Sequence, residues 1–218
     1  MAVRTVGELQ DRLDNALAWR RIELHALKSE IRTAYARSSH APLTRALARS
    51  GIALLYAHWE GYVKEACQAY VDYVAKRRLK VNELNDGLLK VVLDQLNRRS
   101  ASGDEAAMLS IMEAVRLPDV ARAKIPRDSI VDTKSNLRSI VLSDILGCIG
   151  FDPDVFATKS NLIDKTLCDG RNAIAHGRDY YPNPEEFESL HDEVMEMLTE
   201  IRGTIMAHAR DKKYRREI

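Results

Sequence analysis

The residues of this chain best suited to chemistry lie together in the segment 171–176, which reads Arg-Asn-Ala-Ile-Ala-His. On an α-helix, Asn172 and His176 are one turn apart and share a face, with Arg171 beside them. An imidazole can accept or donate a proton near neutral pH, and a guanidinium can bind a phosphate through two hydrogen bonds. RNA carries its own nucleophile, the 2′-hydroxyl. A base and a cation are therefore sufficient to cleave it without a metal.

The same residues also have a purely structural interpretation. A helix-capping asparagine, a surface arginine and a partly buried histidine would give the same letters at the same spacing. The spacing by itself leaves both interpretations open.

Composition predicts a packed, helical chain. Of 218 residues, 45% are hydrophobic and 30% are charged, which excludes a disordered segment. Only 10 glycines and 6 prolines are present, so few residues interrupt long helices. The formal charge of +1 provides no overall field that attracts nucleic acid, so RNA binding would depend on local patches.

Other chemistries find little support in the sequence. The three cysteines are far apart, no two of the six histidines are spaced to share a helix face, and nucleotide-binding glycine loops are absent. We therefore expect no metal and no cofactor, and we expect His191 on an exposed helix surface. Met1 to Gly7 lacks the apolar core of a signal peptide, and no apolar run reaches the roughly 20 residues of a membrane span. The sequence predicts a cytoplasmic protein with no membrane partner.

Apolar residues recur every three or four positions along the chain, with no sustained alternation. This pattern predicts an all-α bundle of about six or seven helices in a single domain, 1–218. Within it we expect an N-terminal helix in 1–40, a bundle in 41–209, a long loop in 119–133 and a basic, fraying tail in 210–218.

Three local signals predict particular helix ends. Ser102 and Glu105 have the spacing of a capping box. Behind it, an apolar face is expected, formed by Met108, Leu109, Met112 and Val115. Ser160 is expected to cap the helix that carries 171–176, and Gly177 is expected to follow its end.

Three ordered blocks of the chain resemble a known superfamily. The Arg-Asn-x-x-x-His signature followed by Gly177 resembles that of the HEPN superfamily. The stretch 54–64 (LLYAHWEGYVK) resembles a helix of the RiboL-PSP and MAE-type HEPN proteins, and 133–137 (TKSNL) resembles another segment of that group. Ile163 and Asp164, which precede the signature, also match.

The resemblance implies a helical bundle that dimerises, with the two signature segments meeting in a shared cleft. Active members of the superfamily are metal-independent endoribonucleases that leave a 2′,3′-cyclic phosphate. By position, His176 becomes the general base or acid, Arg171 stabilises the transition state, and Asn172 orients them or contacts phosphate. Many members act in toxin–antitoxin or phage-defence systems, so an antitoxin or regulatory partner is expected in addition to RNA and a second copy.

Further residues are candidates for supporting roles. Glu60 lies in the middle of an apolar helix, so a buried Glu60 would need a partner, for which we consider Arg171. The alternatives are that Glu60 pairs with Lys64 or lies on the surface. Arg178 and Tyr180 follow the signature and are candidate RNA contacts. The cations Lys76, Arg77 and Arg78 are further candidates, although a solvated helix end is the favoured interpretation of this run.

A second function remains open beside the nuclease. Some superfamily members have lost catalysis and act as protein-interaction or nucleotide-binding modules. The intact Arg171 and His176 favour the enzyme.

Overall fold

The computed structural model describes residues 3–216 and confirms the all-α prediction. These residues form seven α-helices, with bounds α1 Val6–Arg37, α2 Pro42–Ala75, α3 Asp86–Ala101, α4 Glu105–Arg116, α5 Ser139–Cys148, α6 Asp169–Ala175 and α7 Pro184–Arg210. Short 3₁₀ turns occur at Val81–Glu83 and Ala157–Lys159, and a π-helical segment at Leu162–Cys168 leads directly into α6. Within the described range, strand-like pairing is limited to two isolated bridges, Lys80–Arg122 and Leu84–Arg215.

Three long helices, α1, α2 and α7, pack on one another and form the body of the bundle. The central helix is α2, whose aromatic side chains Trp59, Tyr62 and Tyr70 are fully buried. Burial of large aromatic surfaces is the dominant favourable term in such a core. Pro42 occupies the first turn of α2, where proline is tolerated, and Asn183 with Glu186 forms a capping box at the start of α7.

The site helix α6 lies against the N-terminal half of α2, while α3 packs on α5 and α4. The α3–α5 contact depends on a close backbone approach, because a Cβ at Gly87 would lie 2.2 Å from the carbonyl oxygen of Gly147. Because no side chain fits there, Gly87 sets the distance between these two helices.

The expected start of α4 is wrong, and so is the direction of its apolar face. The N-cap is Asp104, whose side chain accepts a hydrogen bond from the backbone of Ala107, while Ser102 ends α3. Met108, Leu109, Met112 and Val115 are exposed, because α4 packs on α3 through a stripe on its other side that contains Ala107 and Ala114. The small alanines face inward and the large residues face solvent.

The predicted cap at Ser160 is also wrong. Ser160 has helical backbone angles and lies inside the helical run, whereas an N-cap residue has an extended backbone. The chain instead enters the helix from a 3₁₀ turn and widens into the π segment before α6. Such widenings are rare and often occur at functional sites.

Two smaller expectations need correction. His191 is 6% exposed rather than on the surface, because α7 turns this side chain toward α1 and the ring of Phe187. The tail does not fray in the described residues up to Arg216. Tyr214 is buried against Tyr73, and Arg215 pairs with Glu83, so the basic run is anchored beside the end of α2. The last two residues, 217 and 218, lie outside the described range.

Candidate active site

Arg171 is held in place by three neighbours. Its guanidinium carbon lies 4.1 Å from the centre of the Tyr56 ring, and its Nη2 donates to the carbonyl oxygen of Ser135 at 3.0 Å. Its Nη1 donates to Oδ1 of Asn172 at 2.9 Å. A cation over an aromatic face is held without using its N–H groups. These two hydrogen bonds occupy two of the five N–H donors of the guanidinium.

Tyr56 links Arg171 to the backbone of the neighbouring loop. Its hydroxyl accepts a hydrogen bond from the buried Leu137 N–H at 2.8 Å. Burial raises the pKa of Tyr56 to about 12, against the opposing effects of the Leu137 N–H and Arg171. The phenol therefore stays protonated at neutral pH and acts as a fixed, uncharged support.

Glu60 does not pair with Arg171, nor with Lys64 in the described structure, so the predicted direct contact is wrong. Its Oε1 accepts a hydrogen bond from the buried hydroxyl of Thr133 at 2.6 Å. Thr133 is two residues before Ser135, whose carbonyl oxygen binds Arg171. Glu60 thus reaches the site through the loop rather than through the guanidinium.

That loop is fixed from both sides and contains unusual backbone angles. Lys134 and Ser135 have positive φ values of 51° and 55°. From the π segment, Asp164 accepts hydrogen bonds from the backbone and hydroxyl of Ser139, both at 2.7 Å. Left-handed angles in residues other than glycine persist only where surrounding contacts hold them. The segment 133–139 is therefore a rigid wall beside Arg171.

His176 lies at the open end of α6. It is the C-cap, and its side chain is exposed. Gly177 follows with φ of 73°, and the N–H groups of Gly177 and Arg178 bond back to Ile174 and Ala173. This pattern is a Schellman motif, which stops the helix and favours glycine at this position. The sequence-predicted end of the helix at Gly177 is confirmed.

Two arginines of α2 hold the turn that follows the signature. Arg49 Nη1 donates to the carbonyl oxygens of Arg178 and Tyr180, and Arg45 pairs with Asp179 and lies over the Tyr181 ring. The hydrogen bond from Arg45 holds the pKa of Asp179 below its ordinary value.

The two candidate RNA contacts in this turn differ in exposure. The side chain of Arg178 is exposed two residues from His176. Tyr180 is half buried, and its ring edge packs against Gly170. The fold therefore leaves Arg178 accessible and fixes Tyr180 as part of the wall.

The cations Lys76, Arg77 and Arg78 lie elsewhere. They follow the end of α2, about 30 Å along the helix axis from Tyr56 at 1.5 Å per residue. Arg77 donates to the backbone of Arg4 and lies over the Tyr73 ring. Within one chain they are not brought together with Arg171 and His176.

The cysteine beside the site is buried, and the described residues offer no metal cluster. The Cys168 thiol is buried beneath α6 and donates to the carbonyl oxygen of Leu137, and burial raises its pKa to about 12. Within residues 3–216, no three His, Cys, Asp or Glu side chains come close enough to hold a metal ion.

Several residues that build this site were not among those predicted from the sequence. Tyr56, Thr133 and Ser135 lie inside the two blocks that carry the superfamily resemblance, so their position in those blocks was the available signal. For Arg45 and Arg49 the signal was their four-residue spacing, which places both on one face of α2.

The fold and the site define a HEPN-type helical bundle with an intact signature at an exposed helix end. The family model for MAE_28990-like HEPN matches residues 9–214, and the chain belongs to this family. No curated protein and no solved structure matches it. Membership indicates a nuclease-like or nucleotide-binding module, since HEPN domains are often ribonucleases. In the described part of the chain, no helix is long and apolar enough to cross a membrane.

Proposed function

We propose that this protein is a metal-independent endoribonuclease that acts as a homodimer. The observation that carries the proposal is the arrangement of the signature. The imidazole of His176 is open to solvent at the end of α6, while Arg171 is fixed at the other end of this short helix with N–H donors still free.

The reaction follows from these groups. An imidazole takes the proton of the RNA 2′-hydroxyl, the 2′-oxygen attacks the adjacent phosphorus, and the bond from phosphorus to the 5′-oxygen breaks. The guanidinium stabilises the charge that builds up on the phosphorane oxygens, and Asn172 keeps the guanidinium oriented. The products are a 2′,3′-cyclic phosphate and a 5′-hydroxyl.

A second copy of the chain supports both proton transfers. One group must remove a proton from the nucleophile, and another must return one to the leaving oxygen. Two copies of His176, facing one cleft, would supply the base and the acid. Arg178 of each copy would add a phosphate contact.

The test compares wild type with His176→Ala and Arg171→Ala on single-stranded RNA in EDTA. His25→Ala serves as the matched control, because His25 is an exposed histidine on α1. We expect wild type and the control to cleave and both signature variants to lose roughly 100-fold or more in rate. An RNA with a single 2′-deoxy nucleotide should resist cleavage at that position. Activity that disappears in EDTA, or that survives in His176→Ala, would contradict the mechanism.

A second candidate function is a catalytically silent nucleotide-binding module. The observation in its favour is that Arg171 is half buried and already bound to Ser135 and Asn172. In that case wild type leaves RNA intact but binds nucleoside triphosphates in equilibrium dialysis, and Arg171→Ala loses that binding.

A further inference from the structure

Helix α4 has an exposed apolar face that the proposed active site does not use. Of the ten large hydrophobic residues that are exposed in the described chain, six fall between 108 and 120. They are Met108, Leu109, Met112, Val115, Leu117 and Val120, with exposures from 40% to 74%. Four of them lie on α4, Leu117 is its C-cap and Val120 lies in the turn that follows. Scattered apolar residues are ordinary on a surface, but a group concentrated in one short segment marks an interaction site.

The area of this face fits a protein interface. The six side chains expose on the order of 600 Å², which is as large as the largest apolar patch of a typical monomer. A standard interface buries roughly 800 Å² on each partner. The polar residues beside the apolar group would supply the rest of the buried area.

The charges on α4 indicate which partner fits. Glu105 and Arg116 are eleven residues, or about three turns, apart, so they lie on the same exposed side at opposite ends of the helix. In an antiparallel pair of α4 helices, Glu105 of each copy faces Arg116 of the other. A parallel pair would instead place like charges together. Antiparallel packing also opposes the two helix dipoles favourably.

We propose that a second copy of this chain covers the α4 face, in an antiparallel two-fold helix pair. The register that pairs Glu105 with Arg116 also brings Met112 of one copy against Leu109 of the other. Such self-complementary two-fold contacts are the commonest in homo-oligomers.

This surface is distinct from the signature. The turn after α4 bonds to residues just past the end of α2, with Val81 N–H donating to the Ala121 carbonyl oxygen at 2.9 Å. Arg171 contacts α2 at Tyr56, about 30 Å away along that helix. One chain can therefore use the α4 face and a signature dimer at the same time, and the α4 contact then joins one signature dimer to the next.

The first test measures molar mass by light scattering after size-exclusion chromatography. Met112→Glu should lower the mass to that of the assembly without the α4 contact, because it places a charge in the apolar contact. Ile22→Glu is the matched control: Ile22 is 72% exposed on α1, and its change should leave the mass unaltered. Circular dichroism checks that both variants remain folded. A wild-type monomer, or a mass that Met112→Glu leaves unchanged, would overturn the proposal.

The second test separates the antiparallel pair from other contacts. Glu105→Arg and Arg116→Glu each put like charges together at both ends of the pair, and each should weaken association several-fold. The double variant Glu105→Arg/Arg116→Glu restores opposite charges and should recover the wild-type dissociation constant. If the double variant is as weak as the single ones, the antiparallel arrangement is wrong. If Met112→Glu lowers the mass but all three charge variants behave as wild type, the pairing is also overturned.

Discussion

At the scale of single residues, the site is a chain of supports that ends at Arg171. Tyr56 provides a ring beneath the guanidinium, Ser135 provides a carbonyl oxygen, and Glu60 holds the loop through Thr133. None of these contacts is an ion pair between Arg171 and a carboxylate. Its positive charge therefore remains available for a phosphate.

Tyr56→Phe tests the hydroxyl separately from the ring. The variant keeps the aromatic face under Arg171 but leaves the buried N–H of Leu137 without an acceptor. An orphaned buried donor costs about 1–3 kcal/mol. We expect that loss in the free energy of unfolding, measured with urea, while RNA cleavage falls by less than in Arg171→Ala.

Two further variants serve as controls for Tyr56→Phe. Tyr35→Phe changes a half-buried tyrosine on α1 and should alter the unfolding free energy by much less. Tyr56→Leu removes the ring as well and should reduce cleavage more than Tyr56→Phe does. Equal stability of Tyr56→Phe and wild type would show that the Leu137 contact is unimportant.

At the scale of elements, the position of the signature depends on how the helices around it end and approach each other. The π segment delivers the chain into α6, and the Schellman motif at Gly177 ends α6 where His176 is exposed. Elsewhere in the bundle, α3 and α5 are in backbone contact through Gly87. Because glycine is required at Gly177 by its backbone angle and at Gly87 by the close contact, we expect single substitutions there to lower stability strongly.

Gly87→Ala should destabilise the protein strongly. The added methyl carbon would lie 2.2 Å from the Gly147 carbonyl oxygen and 2.9 Å from the Gly150 nitrogen, and both are backbone atoms. The helices must move apart, which costs at least about 2 kcal/mol by analogy with overpacked cores. The matched control is Gly203→Ala in α7, where nothing lies within 4 Å of the added carbon.

The control should change stability in the opposite direction. Alanine is favoured over glycine in an exposed helix by about 0.5–1 kcal/mol, so Gly203→Ala should raise the unfolding free energy. Thermal or urea unfolding measures both. A Gly87→Ala protein as stable as wild type would contradict the close approach of α3 and α5.

At the scale of the whole molecule, three long helices carry the core while α3 and α4 project their outer surface to solvent. The two proposed self-contacts lie at different ends of α2, one at the signature and one at α4. Three histidines are also drawn into the packed bundle rather than left on its surface. His58, His191 and His208 have lowered pKa values, in each case mainly because burial disfavours the charged imidazole.

These histidines predict an acid-sensitive fold. Each binds a proton more weakly in the folded than in the unfolded chain, so the unfolded state takes up more protons as the pH falls. The stability is fully present above the ordinary histidine pKa of about 6.5 and declines as the pH falls below it. The free energy of unfolding in urea should therefore be lower at about pH 5 than at about pH 7.5.

His208→Gln tests this explanation on one of the three. His208 packs on Phe151, and the charge of Lys213 lowers its pKa further. Glutamine does not titrate, so the variant should show a smaller fall in stability between the two pH values than wild type. His40→Ala, at an exposed position, should keep the wild-type pH dependence. Stability that rises toward pH 5 would contradict the prediction.

The sequence by itself determined the fold class, the helix count and the segment whose residues are suited to catalysis. Those features depend on local periodicity, on Gly177 at a helix end, and on a signature contained within six consecutive residues. Contacts between distant segments were decided only by the tertiary structure. In the folded chain, Glu60 accepts a hydrogen bond from Thr133 rather than pairing with Arg171. His191 and Tyr214 are buried, and the large apolar residues of α4 face solvent. Periodicity shows that a helix has an apolar side, but only the packing of its neighbours decides whether that side is buried.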